Sequence, residues 1–260
     1  MANLITETLV LPSAATKLYG DTFDGQLTLR AMTTEEERIR LSSQSFYSTM
    51  VTIVNECIVD NKNSDGTYKI DSALFTDFDF FATLVKLRIM SYGPMYKTVA
   101  VCSKCGHQFA YKANLAEDLL YNLIPDDFTE PYDVGPLPGS GDTLGCRFLR
   151  IKDKIDIEKQ ANLIKTKNPN YIGDPTFQLE MQRRIMTVNG KELDYITAEE
   201  YVKHMIAMDS VVYHDNVNNG QYGVVPYVII DRCDNPMGCD GKSIWVIKTG
   251  KEFFRPCLDD

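Results

Sequence analysis

Two pairs of cysteines, each placed where a predicted strand ends, constrain this chain more than any other feature. The first is Cys102-Ser103-Lys104-Cys105-Gly106, lying between the strand-like Tyr96-Lys97-Thr98-Val99-Ala100-Val101 and a second strand over 108–112. A Cys-x-x-Cys-Gly turn between two strands aims both sulfurs at one spot, because the glycine lets the backbone reverse. The second is Cys233-Asp234-Asn235-Pro236-Met237-Gly238-Cys239, between predicted strands over 224–230 and 243–248. Its spacing is wider, but Asn-Pro and Gly are turn formers that bring the two sulfurs together. Four thiolates from two hairpins match the tetrahedral preference of zinc, so Cys102, Cys105, Cys233 and Cys239 are the candidate ligands of a structural ion. A shared metal would tie the middle of the chain to its end.

Other readings of these cysteines stay open: four reduced thiols, His107 in place of one cysteine, or a redox pair. A redox Cys-x-x-Cys opens a helix after a strand, whereas this one sits between two strands. An iron–sulfur cluster has no other support in the chain. Of the seven cysteines, Cys57 falls on the apolar face of a predicted helix and Cys146 inside a predicted strand, where both read as core thiols. Cys257, in the tail, has no evident partner.

Around these pairs the periodicity is that of an α+β chain with short antiparallel hairpins and a split, zinc-ribbon-like site. Residues 4–11 are extended, and Gln26-Leu27-Thr28-Leu29-Arg30 alternates as a strand with one buried face. In Met32-Thr33-Thr34-Glu35-Glu36-Glu37 a Thr followed three residues later by Glu is a capping box that predicts a helix from about Thr34, with the acidic run suiting its positive end. Phe46, Met50, Ile53, Val54 and Cys57 predict an amphipathic helix to about Asp60, and 77–91 a second helix stopped by Gly93-Pro94. Beyond a Pro- and Gly-rich stretch at 128–142 the order repeats. A strand over 144–151 ends in Leu149-Arg150 as the earlier one ends in Leu29-Arg30. Helices follow over 153–165 and from Asp174-Pro175 to about Met186, then one from a second capping box at Thr197. The expectation is an internal pseudo-repeat: residues 1–127 with the first hairpin, 128–142 as linker, and 143–260 with the second, packed as one unit. Adjacent Phe253 and Phe254, so near the terminus, need cover and are expected to pack beside the second cysteine hairpin.

Enzymatic signatures are missing from this reading. His204 and His214 have no nucleophile motif nearby, no phosphate-binding glycine loop occurs, and a four-thiolate zinc leaves no open coordination position. The 260 residues carry 27 basic against 36 acidic side chains, a net charge of −9 that disfavours phosphate neutralisation and hence nucleic-acid binding. The lysines over 152–167 alternate with acids and read as a solvated helix face. No apolar stretch reaches the roughly 18–20 residues of a membrane span. The start, Met1-Ala2-Asn3-Leu4, lacks the pattern of a signal peptide, which points to a reducing cytoplasm or something assembled there.

A series of segments in fixed order then carries a likeness. Leu11-Pro12-Ser13, Leu27-Thr28-Leu29-Arg30-Ala31-Met32-Thr33-Thr34-Glu35-Glu36, Asp79, Leu87-Arg88-Ile89-Met90-Ser91-Tyr92-Gly93 and Tyr96 through Gly106 together resemble the baseplate hub proteins of T-even-type contractile-tailed phages. The resemblance covers about 4–125 well and continues more diffusely through the Asp209 region, the second cysteine pair and Phe253-Phe254-Arg255-Pro256. It implies a non-enzymatic virion protein of the tail baseplate, assembled in the host cytoplasm. Its implied partners are other hub and tail proteins near the spike complex and the end of the tape measure. No small-molecule substrate is implied. The competing readings are a transient tail-assembly chaperone and a zinc-ribbon nucleic-acid-binding protein.

Overall fold

The computed structural model describes residues 5–14, 16, 18–20, 23–42, 45–217 and 222–255. Cys257 and Pro256 lie outside them. Alternation in Gln26-Leu27-Thr28-Leu29-Arg30 becomes a strand with Leu27 and Leu29 turned inward: β1 (Thr6–Val10) pairs antiparallel with β2 (Gln26–Arg30), Thr6 opposite Arg30. α1 (Thr34–Arg40) and α2 (Phe46–Cys57) follow, then a short 3-10 turn (Ser72–Leu74) and α3 (Asp77–Tyr92). Gly93 ends α3 at φ 80°, a conformation that glycine adopts without steric cost. The chain then enters the hairpin of β3 (Met95–Val101) and β4 (Gln108–Asn114), and the short β5 (Tyr121–Asn122).

The second half opens with β6 (Tyr132–Val134), a strand inside the stretch read as linker, paired with β7 (Leu144–Cys146). α4 (Ile151–Lys167) and α5 (Thr176–Arg184) lead into β8 (Ile185–Val188), which joins β7, and β9 (Lys191–Glu192) completes a four-stranded antiparallel sheet. α6 (Tyr195–His204) and α7 (Ala207–Val217) precede β10 (Gly223–Val224), β11 (Tyr227–Ile230) and β12 (Ser243–Val246). β10 pairs with β5 and β11 with β12. A 3-10 turn, Lys251–Phe254, closes the described chain. Among the described residues no helix is long and apolar enough to cross a membrane.

Several boundaries differ from the sequence reading, each for a local reason. α2 stops at Cys57 because Ile58 turns extended to bridge Leu29. The strand expected over 144–151 ends at Cys146, and α4 begins at Ile151 because the Asp153 carboxylate accepts the Arg150 N–H at 2.8 Å. α6 is capped by Asp194, whose Oδ1 accepts from the Thr197 N–H at 2.8 Å and from its hydroxyl at 2.7 Å. Thr197 is therefore inside the helix rather than its cap. The predicted strand over 224–230 splits at Pro226, which has no N–H for a ladder.

Hydrogen bonds recur in matching positions of the two halves. Arg30 donates to the Ala31 carbonyl (3.2 Å) and forks onto Glu36 (3.1 and 2.8 Å), which also accepts the Thr33 N–H (2.7 Å). Arg147 donates to the Phe148 carbonyl (3.2 Å) and forks onto Asp153 (2.7 and 3.0 Å), the same carboxylate that takes the Arg150 N–H. Arg147, not Arg150, thus makes the contacts of Arg30. Asp79, third residue of α3, accepts the Ser13 N–H (3.1 Å) and hydroxyl (2.6 Å) just after Leu11-Pro12. Asp209, third residue of α7, accepts the N–H groups of Gly139 (2.6 Å) and Ser140 (2.9 Å) just after Leu137-Pro138. The bridge of Leu29 to Ile58 is matched by Cys146 with Ile185.

The buried Glu36 makes one of these clamps measurable. Burial pushes its carboxyl up, but the Arg30 fork and the Thr33 donors outweigh that and hold it at about 2. A depressed folded-state value means stability that is complete above the ordinary glutamate range near 4.3 and is lost as the pH falls toward about 2. Acid unfolding followed by circular dichroism is expected to show that loss in the native protein. In Glu36→Gln the stability change between about pH 4.5 and 2 should be shallower, with lower stability at pH 7.

The largest apolar core combines β2, α2, α3 and Phe75 with residues from the far end of the chain: Ile247, Phe253 and Phe254. Both phenylalanines are fully buried. The Phe253 ring lies 5.8 Å from that of Tyr96, which stacks at 5.2 Å on Trp245 of β12. The tail therefore packs beside the second cysteine hairpin, as its composition led one to expect. A separate core holds Val134, Leu137, Leu144, Met181, Ile185 and Tyr213.

Candidate metal centre

The β3–β4 and β11–β12 hairpins meet at their turns, and their four cysteines converge. The sulfurs of Cys102, Cys105, Cys233 and Cys239 all lie within 4.8 Å of one another. Cys102 to Cys239 and Cys105 to Cys233 are each 3.8 Å, too far for disulfides. A tetrahedral ion with metal–sulfur bonds of about 2.3 Å has ligand edges of roughly 3.75 Å, so the spacing suits a metal bound by four thiolates. Each hairpin supplies two of them.

Backbone and neighbours orient the sulfurs. The His107 N–H and the Asn235 amide, 3.6 Å from the sulfur, hold the Cys105 thiol down to about 6. Gly241 donates its N–H to Cys239 at 3.3 Å. In both turns, then, the second cysteine accepts from the residue two positions on. Burial pushes the Cys233 thiol up to about 12, a cost that a bound cation would offset. Burial does the same to Cys57 and Cys146, which sit away from the cluster as core thiols.

The turns are also latched directly. Ser103 donates its hydroxyl to the Lys242 carbonyl at 2.6 Å, and Lys104 pairs with Asp240. His107 lies outside the cluster: its Nε2 is 3.0 Å from Asp234, and its ring stacks on Phe109. Beneath the sulfurs Ala100, Phe109 and Ile230 form a small apolar floor with Trp245 packed against it. Gly241 is a residue the sequence reading passed over. A β-carbon there would stand 2.6 Å from the Cys102 sulfur and 2.7 Å from Lys104 Cβ, so only glycine fits. Its sequence signal was modest: a glycine shortly after the last cysteine, as Gly106 follows Cys105.

With four thiolates engaged, a tetrahedral ion has no position left for substrate or water. The arrangement can close and stiffen a long-range junction. The remaining histidines are engaged elsewhere: His204 Nδ1 is 2.8 Å from the Glu200 carbonyl, and the His214 ring stacks at 4.3 Å on Phe177.

A family model described as T4 bacteriophage base plate protein matches residues 5–135, half of the 260-residue chain. The match includes Cys102 and Cys105 and stops short of Cys233 and Cys239. No curated protein and no solved structure matches the chain.

Proposed function

The chain belongs to the T4 bacteriophage base plate protein family, and from that premise we propose that it is a non-enzymatic structural part of a phage tail baseplate hub, joined internally by one structural zinc ion. The observation that carries the zinc is the closed set of four sulfurs at tetrahedral spacing, two from each hairpin. Zinc suits all-thiolate tetrahedral sites and has no redox chemistry of its own, which fits a staple. The partners are other hub and tail proteins near the spike complex and the end of the tape measure, met in the virion after assembly in the host cytoplasm.

The same proposal includes an internal repeat. Residues 1–127 and 143–260, joined through 128–142, are two copies of one structural unit, each with an Arg–acid clamp at the strand-to-helix turn and an aspartate at a helix start; the Leu137-Pro138 loop that Asp209 grips comes from the 128–142 stretch. Matching clamps support it, and an experimental structure in which the Arg30–Glu36 and Arg147–Asp153 segments superpose together with α3 and α7 tests it. Mass spectrometry of purified tails, with metal analysis alongside, tests the role. The chain should be present at a fixed copy number and carry zinc. Absence from finished tails would make it a transient assembly helper instead.

A further inference from the structure

In the N-terminal half, the start of α3 is a covered face. Phe78 meets the Phe148 ring edge-on at 4.9 Å, and the Gly223 backbone comes so near that a β-carbon there would stand 2.6 Å from Phe78 Cβ. Thr76 forms a bridge with Arg150, and the Phe75 carbonyl accepts the Ile151 N–H at 2.9 Å. Tyr19 of the N-terminal half accepts the Thr76 N–H at 2.9 Å, while the loop from β7 into α4 and β10, which cover Phe78, belong to the C-terminal half. An aromatic-lined cleft of about 530 Å³ remains between them.

The start of α7 repeats that face without a cover among the described residues. Alignment on Asp79 and Asp209 puts Ile206 at the place of Thr76, Met208 at that of Phe78 and Val211 at that of Phe81. The first helical bonds agree, Phe80 N–H to Thr76 and Ser210 N–H to Ile206, both at 3.0 Å. Yet Ile206, Met208 and Val211 are 51%, 61% and 60% exposed, whereas Thr76 is fully buried and Phe78 and Phe81 are half-buried. Three exposed apolar side chains at one helix start offer a contact surface.

We infer that this face docks another baseplate chain carrying the same unit, through a strand-to-helix loop that presents an aromatic ring as Phe148 does here. The inference rests on the internal repeat proposed above. The occupant follows from the equivalent contact within the chain, where such a loop fills such a face. A second copy of this chain does not supply it. Its Phe148 is already spent against its own Phe78, and the corresponding loop of the N-terminal half carries the small, buried Ala31 at that place. The resulting contact is head-to-tail rather than twofold, extending the order of units found inside the chain.

The test uses the full-length chain in tail assembly. Val211→Asp should leave melting and zinc content unchanged, because Val211 is exposed, and lower incorporation into tails roughly tenfold or more, as burying a charge in a contact core does. A photoreactive phenylalanine analogue installed at Met208 should cross-link, in assembled tails, to a strand-to-helix loop of a different tail protein. Normal incorporation of Val211→Asp, or a cross-link to another copy of this chain or to an unrelated segment, would overturn the inference. Failure of the two halves to superpose would instead remove the repeat, and absence from tails the hub role, so the three readings fail separately.

Discussion

Protein purified without chelator is expected to contain one zinc ion per chain, and Cys233→Ser to lose it. Cys105 and Cys233 lie 128 positions apart, so holding their sulfurs 3.8 Å from each other closes a long loop. Closing a loop of that size costs on the order of 5 kcal/mol in chain entropy, by analogy with disulfide loops. The direct latches at the turns are an exposed hydrogen bond and an exposed ion pair, which solvent screening leaves weak. Structural zinc contributes roughly 10 kcal/mol or more in small domains, enough to dominate the junction. Metal removal should therefore part the two hairpins and increase hydrogen exchange in β3, β4, β11 and β12. The helices α1 to α3, held by their own core, should keep most of their protection. Gly241→Ala should act as a ligand loss does, since its new methyl meets the Cys102 sulfur at 2.6 Å. Cys146→Ala should leave metal content unchanged. A chain that lacks stoichiometric zinc, or a Cys233→Ser variant that keeps it, would refute the site.

Arg88→Met is expected to cost at least ~3 kcal/mol and to release the end of the chain, because charged hydrogen bonds in a buried site are strong and their partners would be left without a donor. Arg88 is fully buried, four residues before the end of α3. Its Nε donates to the Phe253 carbonyl at 2.9 Å and its Nη2 to those of Met95 and Arg255, both at 3.0 Å. Nη1 reaches the Gly93 carbonyl, and the guanidinium lies 5.3 Å from the Tyr92 ring centre. One side chain thus joins the end of α3, the start of β3 and the C-terminal turn. Limited proteolysis gives the readout: the native tail should resist cleavage and the Arg88→Met tail should be cut early, with the metal-bound hairpins intact. Arg88→Lys should rescue little, because an ammonium cannot fork to carbonyls on several sides. Equal protease resistance in native and variant protein would show that Phe253 and Phe254 alone hold the tail.

The tail also shows where reading the sequence stops. Two adjacent phenylalanines near a terminus announced a need for cover, but nothing in Leu87-Arg88-Ile89 announced the residue that would fasten them. An arginine amid apolar neighbours in a helix reads as a solvent-facing position. Similarly, Leu149-Arg150 looked like the counterpart of Leu29-Arg30, while the folded chain gives that role to Arg147, because Asp153 is in forking reach of Arg147 and takes the Arg150 N–H as a helix cap. Arg147 stands six residues before Asp153, the spacing of Arg30 to Glu36, whereas Arg150 stands three before it, at helix-capping distance.

By itself the sequence determined what neighbours along the chain can enforce. Thr33 and Glu36 sit within one helical turn, so their capping box forms wherever the helix forms. Leu27 and Leu29 share a strand face, and Cys102-x-x-Cys105-Gly106 turns on its own backbone. The family, too, was legible, since the ordered segments from Leu11 to Gly106 lie within the matched 5–135. The sequence also pointed, among other readings, to Cys233 and Cys239 joining Cys102 and Cys105, and the folded chain brings the four sulfurs together. Tertiary structure alone decided that Phe253 reaches Arg88, and that, among the described residues, the start of α3 is covered while that of α7 is left open. The physical reason is that local signals act over one turn or one hairpin, whereas long-range contacts form against loop entropy and are selected by the sum of all packing at once.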